Sequence, residues 1–419
     1  MERDSKARTN VKLVPVSGRT NDNFVGIKSK GNDVYLYYPE CFRLDGDLKG
    51  NRKAIIALIK SIQISKSDLG DDSGRYSERE NDSSFALDSY LWIIKDYLQH
   101  GIYYNREKAF HNGYDGKINW KKTMQTTPTI SGKNVVYLDT IAESKREKDN
   151  LIVEIHKACI KKSIDSIGWL FGLSSNRIRT PKMTNQRKQA WLNALRSELD
   201  QSFDDDKKEL LSRMIDVIRG LDSDAQSSEL NYGIDNYYYV FERMVDIVFG
   251  GADNISDFYP KGKWELVKYP GKTFESSNLR PDTVLINKVS KTAYILDSKF
   301  YRFASNDGLR VDNLPESTSI QKQITYAEYI MNHHEKFGVD KVYNAFILPY
   351  DKTKEPYKSN DDLQYIGKAY TDWKKGNESH ETIYAFLIDL HHLVLSWYLH
   401  QKTDDSKELV EKINQLIAE

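Results

Sequence analysis

Two aspartates and a lysine near the ends of neighbouring predicted strands are the residues of this sequence best suited to chemistry. Asp282 follows Pro281 at the start of one apolar stretch, and Asp297 and Lys299 close the next stretch. Because successive side chains of a strand alternate between its faces, Asp297 and Lys299 point to the same side. Two carboxylates and an amine in buried strands are costly unless they pair or hold a metal ion.

Hydrolysis of a phosphodiester bond uses this combination of groups. Carboxylate oxygens of Asp282 and Asp297 are hard ligands that suit Mg²⁺, with Mn²⁺ as a substitute. The metal polarises the phosphate and lowers the pKa of a bound water. Lys299 then holds or activates that water, or offsets the developing charge. The alternative is a β-hairpin in which Asp297 and Lys299 form an ordinary salt bridge.

The elements around these residues follow a regular order. Residues 293–296 are apolar on both faces, which predicts a central strand buried on both sides. Periodicity predicts further elements in the order helix, strand, the two strands above, helix, strand. They are a helix at 237–249, a strand at 264–269, a helix at 319–334 and a strand at 342–349.

The motif of Pro281-Asp282, Asp297 and Lys299 resembles the signature of the PD-(D/E)xK nuclease superfamily. The element order is similar to the αβββαβ core of that superfamily. The resemblance therefore implies an α+β or α/β fold with a C-terminal nuclease core and a mainly helical N-terminal region.

The same resemblance implies further site residues on the two helices. The first helix of the superfamily often contributes a metal-binding glutamate, which falls on Glu242 as a catalytic residue and metal ligand. The second helix often carries a glutamine and a tyrosine near the site, which implies Gln323 and Tyr326 as support, with Gln321 as a competitor. The alternatives are a solvated helix face for Glu242 and an ordinary helix surface for Gln323.

Three other segments are similar to the LlaJI-type restriction endonucleases, relatives of the McrC nuclease subunit. They are residues 91–98, 116–123 and 320–326. This resemblance implies a bacterial restriction endonuclease subunit that hydrolyses double-stranded DNA with Mg²⁺, in a restriction-modification system that defends against phage.

The resemblance also implies partners. The sequence has no Walker A phosphate-binding loop, so any NTP hydrolysis belongs to a partner, an McrB-like AAA+ NTPase. A cognate DNA methyltransferase in the same system and a dimer on DNA are the other expectations. Two alternatives stay open: a DNA repair nuclease of the same fold, and a non-catalytic or weakly catalytic McrC-like subunit that stimulates an McrB-like NTPase. The intact Asp282, Asp297 and Lys299 argue against the second.

The expected domain organisation has three parts. Residues 1–23 are polar, which predicts a mobile tail. Residues 24–222 are expected to form a mainly helical region for DNA recognition or partner docking. Residues 231–419 are expected to form the nuclease domain with C-terminal helices. Strands are expected within 24–38, an exposed loop at 65–84 and a linker at 223–233. Predicted helices lie at 51–64, 85–100, 154–171, 190–203, 207–221, 382–398 and 406–418.

Contacts to DNA must come from local basic patches, because 61 basic and 61 acidic residues give a formal net charge of zero. Two stretches supply such patches. The first follows a glycine turn at Gly116, and the second, residues 174–189, contains no acidic residue. Their candidates are Lys117, Lys121, Lys122, Arg177, Arg179, Lys182, Arg187 and Lys188. An ordinary turn and a solvated loop are the alternatives.

Several classes of protein are disfavoured. Cys41 and Cys159 are isolated, which fits a reducing cytoplasm. No run approaches the roughly 20 apolar residues of a membrane span, and the polar N-terminus is not a secretory signal. Neighbouring His391 and His392 point about 100° apart on a helix, so they make a poor metal site. We expect a cytoplasmic protein without membrane contact.

Overall fold

The computed structural model shows an α+β protein that divides into two compact units, residues 1–79 with 231–419 and residues 80–230. The structure describes residues 10–17, 23–30, 33–44, 48–67, 83–103, 105–115, 117–131, 134–148, 151–220, 231–252, 254–301, 313–374, 378–400 and 404–418. None of the helices in those ranges is long and apolar enough to cross a membrane.

The chain begins with three strands and a helix of the first unit. They are β1 (Asn10–Val16), β2 (Val25–Lys30), β3 (Asp33–Pro39) and α1 (Leu48–Ser67). The predicted strands within 24–38 and the helix at 51–64 are confirmed. The mobile tail predicted for 1–23 is wrong for Asn10–Val16, because this segment pairs in parallel with β3 and buries Val16. Residues 1–9 and 18–22 lie outside the described residues.

The second unit holds the next helices and two small sheets. Its elements are α2 (Ser83–His100), β4 (Asn105–Asn112), β5 (Lys117–Ile118), α3 (Trp120–Thr123), β6 (Thr129–Ser131), β7 (Asn134–Val136), β8 (Ile141–Lys148), α4 (Leu151–Ile167), α5 (Asn185–Gln201) and α6 (Asp205–Arg219). The predicted long helices are confirmed. The chain turns between α5 and α6, where Asp204 caps α6 by accepting a hydrogen bond from the N–H of Lys207. Helices α2, α4 and α6 pack around buried Ile93, Cys159 and Met214.

The remainder of the first unit carries the large sheet. Its elements are β9 (Asn231–Ile234), α7 (Tyr238–Phe249), β10 (Lys261–Glu265), β11 (Thr273–Asn278), β12 (Thr283–Asn287), β13 (Thr292–Ser298), α8 (Ser317–Asn332), α9 (His334–Phe337), β14 (Lys341–Tyr350), β15 (Leu363–Ala369), β16 (Ile383–Asp389), α10 (Leu390–Tyr398) and α11 (Asp405–Ala418).

Five strands form this sheet in the order β12-β13-β14-β16-β15. β13, β14 and β16 are parallel, and β12 and β15 run antiparallel to them at the two edges. α8 covers one face, where Ala327 and Ile330 pack against Ala293 and Ile295. α7 packs on the other face, where Phe241 contacts Phe300. β13 is buried along its whole length, as its apolar composition predicts.

Two predicted elements are wrong. The strand predicted at 264–269 supplies only its first two residues to β10, which pairs with β11 in a separate two-stranded ribbon because the chain turns back after Glu265. The segment predicted as one helix at 382–398 begins as β16, a strand whose seven residues are all buried. It becomes helical at Leu390. A strand buried on both faces and a buried helix give similar apolar runs.

The structure also groups the chain differently from the predicted domains. β9, at the end of the linker predicted for 223–233, pairs with β2, so segments on either side of residues 80–230 share one sheet. Lys354 donates to the carbonyl oxygen of Glu40 over 3.0 Å in the same unit. The N-terminal strands and α1 therefore belong with the region that carries the large sheet, and residues 80–230 are an insertion in the sequence of that unit. Residues 68–82 and 221–230, which contain most of the predicted loop and linker, lie outside the described residues.

Candidate active site

The antiparallel pairing of β12 and β13 brings the two predicted aspartates together. Thr283 lies opposite Leu296, so one further step of the register places Asp282 opposite Asp297. The Asp282 carboxylate accepts a hydrogen bond from the backbone N–H of Ser298 over 2.8 Å. This bond holds Asp282 against the end of β13, beside the carboxylate of Asp297.

Lys299 is fixed by the next strand of the sheet. Its backbone N–H donates to the carbonyl oxygen of Ile347 over 2.9 Å, which extends the β13–β14 ladder past Ser298. Its ammonium forms an ion pair with Asp297. The salt bridge of the simple hairpin alternative is therefore present, but it lies beside a second carboxylate.

Burial sets the charge state of this cluster. It raises the pKa of Asp282 to about 7, and the Asp297 charge adds to the effect, while Lys299 and the Ser298 N–H oppose it. Burial also raises the pKa of Asp297, against the opposing charge of Lys299. For Lys299, burial alone lowers the pKa, but the Asp297 charge and its hydrogen bond raise it to a net value above the usual range.

The donor chemistry of the cluster fits a divalent cation. Two ionised carboxylates and one ammonium leave an uncompensated negative charge, and the pKa of Asp282 is raised by burial first and by the Asp297 charge second. Mg²⁺ is commonly held by one or two carboxylates together with water and substrate phosphates. In the described part of the chain, no group of three or more His, Cys, Asp and Glu side chains is arranged to hold a metal ion. The described cluster thus offers two protein carboxylates.

Helix α8 packs Tyr326 against this part of the sheet and buries Gln323. The buried Tyr326 hydroxyl donates to the carbonyl oxygen of Arg280 over 3.1 Å. Burial raises its pKa to about 12, and the charges of Asp297 and Asp282 raise it further, so the hydroxyl stays protonated. Gln323 is fully buried, and within the described residues neither polar atom of its amide has a hydrogen-bond partner.

The burial of Gln323 separates it from its competitor. Gln321 is exposed, so the alternative of an ordinary helix surface applies to Gln321 and not to Gln323. A third residue of the helix, Lys322, was not singled out in the sequence, yet its charge lowers the pKa of Asp297. Only the packing of α8 on the sheet gives Lys322 this role, since nothing in its local sequence distinguishes it from other helix lysines.

Helix α7 carries the remaining predicted ligand. Glu242 is half-buried on this helix, and its role as a ligand stays a prediction. One turn later, Asp246 forms an ion pair with Arg243 over 2.6 Å. The charge of Asp246 raises the pKa of Asp282, so this acid belongs to the electrostatic surroundings of the site.

The predicted DNA contacts lie in the unit of residues 80–230. Lys117, Lys121 and Lys122 are exposed, and the Lys122 ammonium lies 3.4 Å from the centre of the Phe110 ring. Gly116 is outside the described residues.

In the basic stretch 174–189, some side chains are exposed and others form hydrogen bonds within the protein. Arg177, Arg179 and Lys182 are exposed in the segment before α5. Arg187 donates to the carbonyl oxygen of Lys182, and Lys188 donates to that of Arg219 over 2.7 Å. The three exposed side chains are therefore the stronger candidates.

Comparison with known proteins identifies the class. The model of the LlaJI restriction endonuclease family matches residues 24–388, and the chain belongs to this family. No curated protein matches the chain at a significant level.

Two solved structures from Thermococcus gammatolerans are similar to the chain. One is an assembly of McrB AAA+ hexamers with bound McrC, at 13% identity and a TM-score of 0.37, covering 87% of this chain and 77% of that one. The other is the McrBC complex, at 14% identity and a TM-score of 0.23, covering 54% of this chain and 64% of that one.

Proposed function

We propose that the chain is a Mg²⁺-dependent endonuclease subunit that hydrolyses phosphodiester bonds of double-stranded DNA in a restriction-modification system. The observation that carries this proposal is the juxtaposition of Asp282 and Asp297 with Lys299 at the end of β12 and β13, in a member of a restriction endonuclease family. The arrangement has the residues of a PD-(D/E)xK site.

In this proposal Asp282 and Asp297 hold the metal ion. When bound, Mg²⁺ supplies polarisation of the scissile phosphate and acidifies water. Asp282 must lose its proton to act as a ligand, and Lys299 and the Ser298 N–H favour that loss. Glu242 is proposed as a further ligand that α7 supplies.

Lys299 has two tasks in the reaction. Its ion pair with Asp297 keeps its ammonium charged and directed at the carboxylate pair. From there it orients the attacking water and offsets the negative charge that develops on the phosphate. The unpaired amide of Gln323 is proposed to hydrogen-bond this water or the substrate, which would relieve the cost of burying an unsatisfied amide.

An McrB-like AAA+ NTPase is the proposed partner, and its NTP hydrolysis is separate from this chain, whose sequence has no Walker A loop. A cognate methyltransferase and a dimer on DNA complete the proposed system. The dimer would let two sites cut both strands.

Cleavage assays test the function and its partner together. Unmethylated phage DNA is incubated with the purified chain in Mg²⁺, in Ca²⁺ and in EDTA, with and without the neighbouring NTPase and GTP or ATP. We expect double-strand cuts in Mg²⁺ only. Comparison of the samples with and without the NTPase and nucleotide shows whether cleavage needs NTP. Equal cleavage in EDTA, or none under any condition, would contradict the proposal.

A further inference from the structure

The two-stranded ribbon of β10 and β11 stands apart from both faces of the large sheet. Among the residues that the structure describes, its strands pair only with each other, from Lys261 opposite Asn278 to Glu265 opposite Thr273. Every residue from Lys261 to Glu275 is exposed, including the tip at 266–272. The segment was predicted as a strand of the nuclease core, and that role does not account for it.

Large apolar side chains lie on this exposed ribbon. Trp264 is 62% exposed and lies opposite Phe274, which is 39% exposed. Tyr269 meets Phe274 edge-on, with 5.6 Å between ring centres, and Val267 at the tip is 99% exposed. A contiguous exposed apolar and aromatic set of this kind marks a binding surface.

The charges of the ribbon favour an anionic partner. The tip carries Lys268 and Lys272 and no acid, and Lys263 is exposed on β10. Of the two acids of the ribbon, Glu275 already pairs with Lys261 over 2.9 Å. Lysines interleaved with aromatic rings suit phosphates and bases together.

The base of the ribbon is fastened next to the candidate active site. The N–H of Leu279 donates to the carbonyl oxygen of Pro260 over 3.0 Å and closes the base. The following residue, Arg280, accepts the hydrogen bond of Tyr326. Asp282 is the fourth residue after Asn278 along the chain, so their Cα atoms are at most about 14 Å apart.

We propose that the β10–β11 ribbon is a DNA-binding arm that enters a groove of the duplex beside the site of hydrolysis. The major groove admits a two-stranded β-ribbon. Lys263, Lys268 and Lys272 contact phosphates, and Trp264, Tyr269 and Phe274 contact the groove. The inference rests on the proposed function, because it takes duplex DNA as the substrate of the same chain.

The test measures binding without cleavage. The full chain is titrated onto a labelled 30-base-pair duplex in EDTA at a series of salt concentrations. One variant carries Lys263→Ala, Lys268→Ala and Lys272→Ala. Its matched control carries Lys288→Ala, Lys291→Ala and Lys341→Ala, three exposed lysines at the opposite end of β12, β13 and β14. A third protein carries Trp264→Ala.

The three proteins have different expected results. Loss of the ribbon lysines weakens binding and lowers the slope of log affinity against log salt by about 2 to 3, since each phosphate contact contributes about 0.9. The control keeps the wild-type slope. Trp264→Ala weakens binding several-fold at every salt concentration with the slope unchanged, because its contact releases no counterions.

The outcomes separate this inference from the proposed function. Wild-type cleavage together with ribbon variants that bind like the control would overturn the DNA-binding arm and leave the nuclease intact. A change of oligomeric state in the ribbon variants, with unchanged DNA affinity, would make the ribbon a protein contact and also overturn it. A wild-type chain that binds no duplex at low salt overturns it as well, whereas the nuclease proposal is then decided by cleavage with the partner present.

Discussion

At the scale of single residues, the candidate site is a compromise between stability and binding. Asp282 and Asp297 lie side by side where burial raises the pKa of both, and the Lys299 ammonium forms an ion pair with Asp297. Such a pair destabilises the folded chain at neutral pH and becomes favourable when a cation joins it. This is the pattern expected of carboxylates kept for chemistry.

The first prediction concerns the stability of the metal-free chain. Asp282→Asn should raise its free energy of unfolding at pH 8 by about 2–4 kcal/mol, because a pKa raised to about 7 means that the ionised form is penalised in the fold. At pH values below the pKa of the unfolded chain, Asp282 is protonated in both states and carries no penalty. The penalty on the folded wild type grows as pH rises from there to about 7, so the variant should gain little stability at low pH. Denaturant unfolding in EDTA measures this, with the exposed Asp257→Asn as control. A destabilised Asn variant at pH 8 would argue against a buried, strained carboxylate.

The second prediction concerns metal affinity. Mg²⁺ competes with a proton for Asp282, so affinity should fall as pH drops through about 7 and level off above it. Calorimetric titration at pH 6 and pH 8, in buffers of different ionisation enthalpy, should show proton release near pH 7. Affinity that is the same at both pH values would show that Asp282 is not a ligand.

At the scale of elements, the sheet and α8 position the site. β12 and β13 set the register of the two aspartates, β14 fixes Lys299, and α8 is tied through Tyr326 to the segment that enters β12. Three neighbouring strands and a helix therefore hold the groups in place.

The third prediction tests the tie between α8 and the strand. Tyr326→Phe keeps the ring and removes its hydrogen bond to Arg280, which should cost about 1 kcal/mol of stability. It should also lower kcat while KM for DNA changes little, because the segment before Asp282 loses its anchor. Unfolding and cleavage are measured on the same preparation. A Phe variant with unchanged stability and kcat would mean that the hydroxyl does not position the site.

Local sequence predicts this part of the fold well where burial is periodic and fails where pairing is distant. The apolar run of β13 and the period of α8 were sufficient to locate them. The sequence predicts a single helix at 382–398 because the apolar run of β16 continues into α10 without a break. The pairing of β2 with β9 joins segments about 200 residues apart, and no local signal announces it.

The site shows the same division. The proximity of Asp282, Asp297 and Lys299 is predictable because their spacing lies within one hairpin, where register follows from sequence. Lys322 acts on Asp297 through the packing of a helix on the sheet, which spacing cannot reveal. The apolar side chains around Trp264 predict a strand of the core, whereas in the structure they lie on the exposed ribbon.

At the scale of the whole molecule, the chain combines a nuclease unit with an inserted unit that is basic in one stretch. The net charge of zero means that DNA affinity depends on such local patches. Arg177, Arg179 and Lys182 are exposed together in the inserted unit.

The fourth prediction concerns that basic stretch. Replacing Arg177, Arg179 and Lys182 by alanine should weaken DNA binding and lower the salt slope by about 2 to 3. The matched control replaces Arg196, Arg219 and Lys95, two arginines and a lysine that are exposed elsewhere in the same unit. Anisotropy titrations over a salt series measure both, and identical slopes in the two variants would place the DNA surface elsewhere.

The measurement that most directly tests the central claim is cleavage of unmethylated plasmid DNA in Mg²⁺ by Asp297→Ala beside Asp340→Ala. Both substitutions remove the acid of a lysine ion pair, Asp297 with Lys299 in the candidate site and Asp340 with Lys291 on the surface. We expect Asp297→Ala to fold and bind DNA but to lose cleavage by at least about 10²-fold. Asp340→Ala should cut like the wild type. Undiminished cleavage by a folded Asp297→Ala protein would contradict the assignment of the active site.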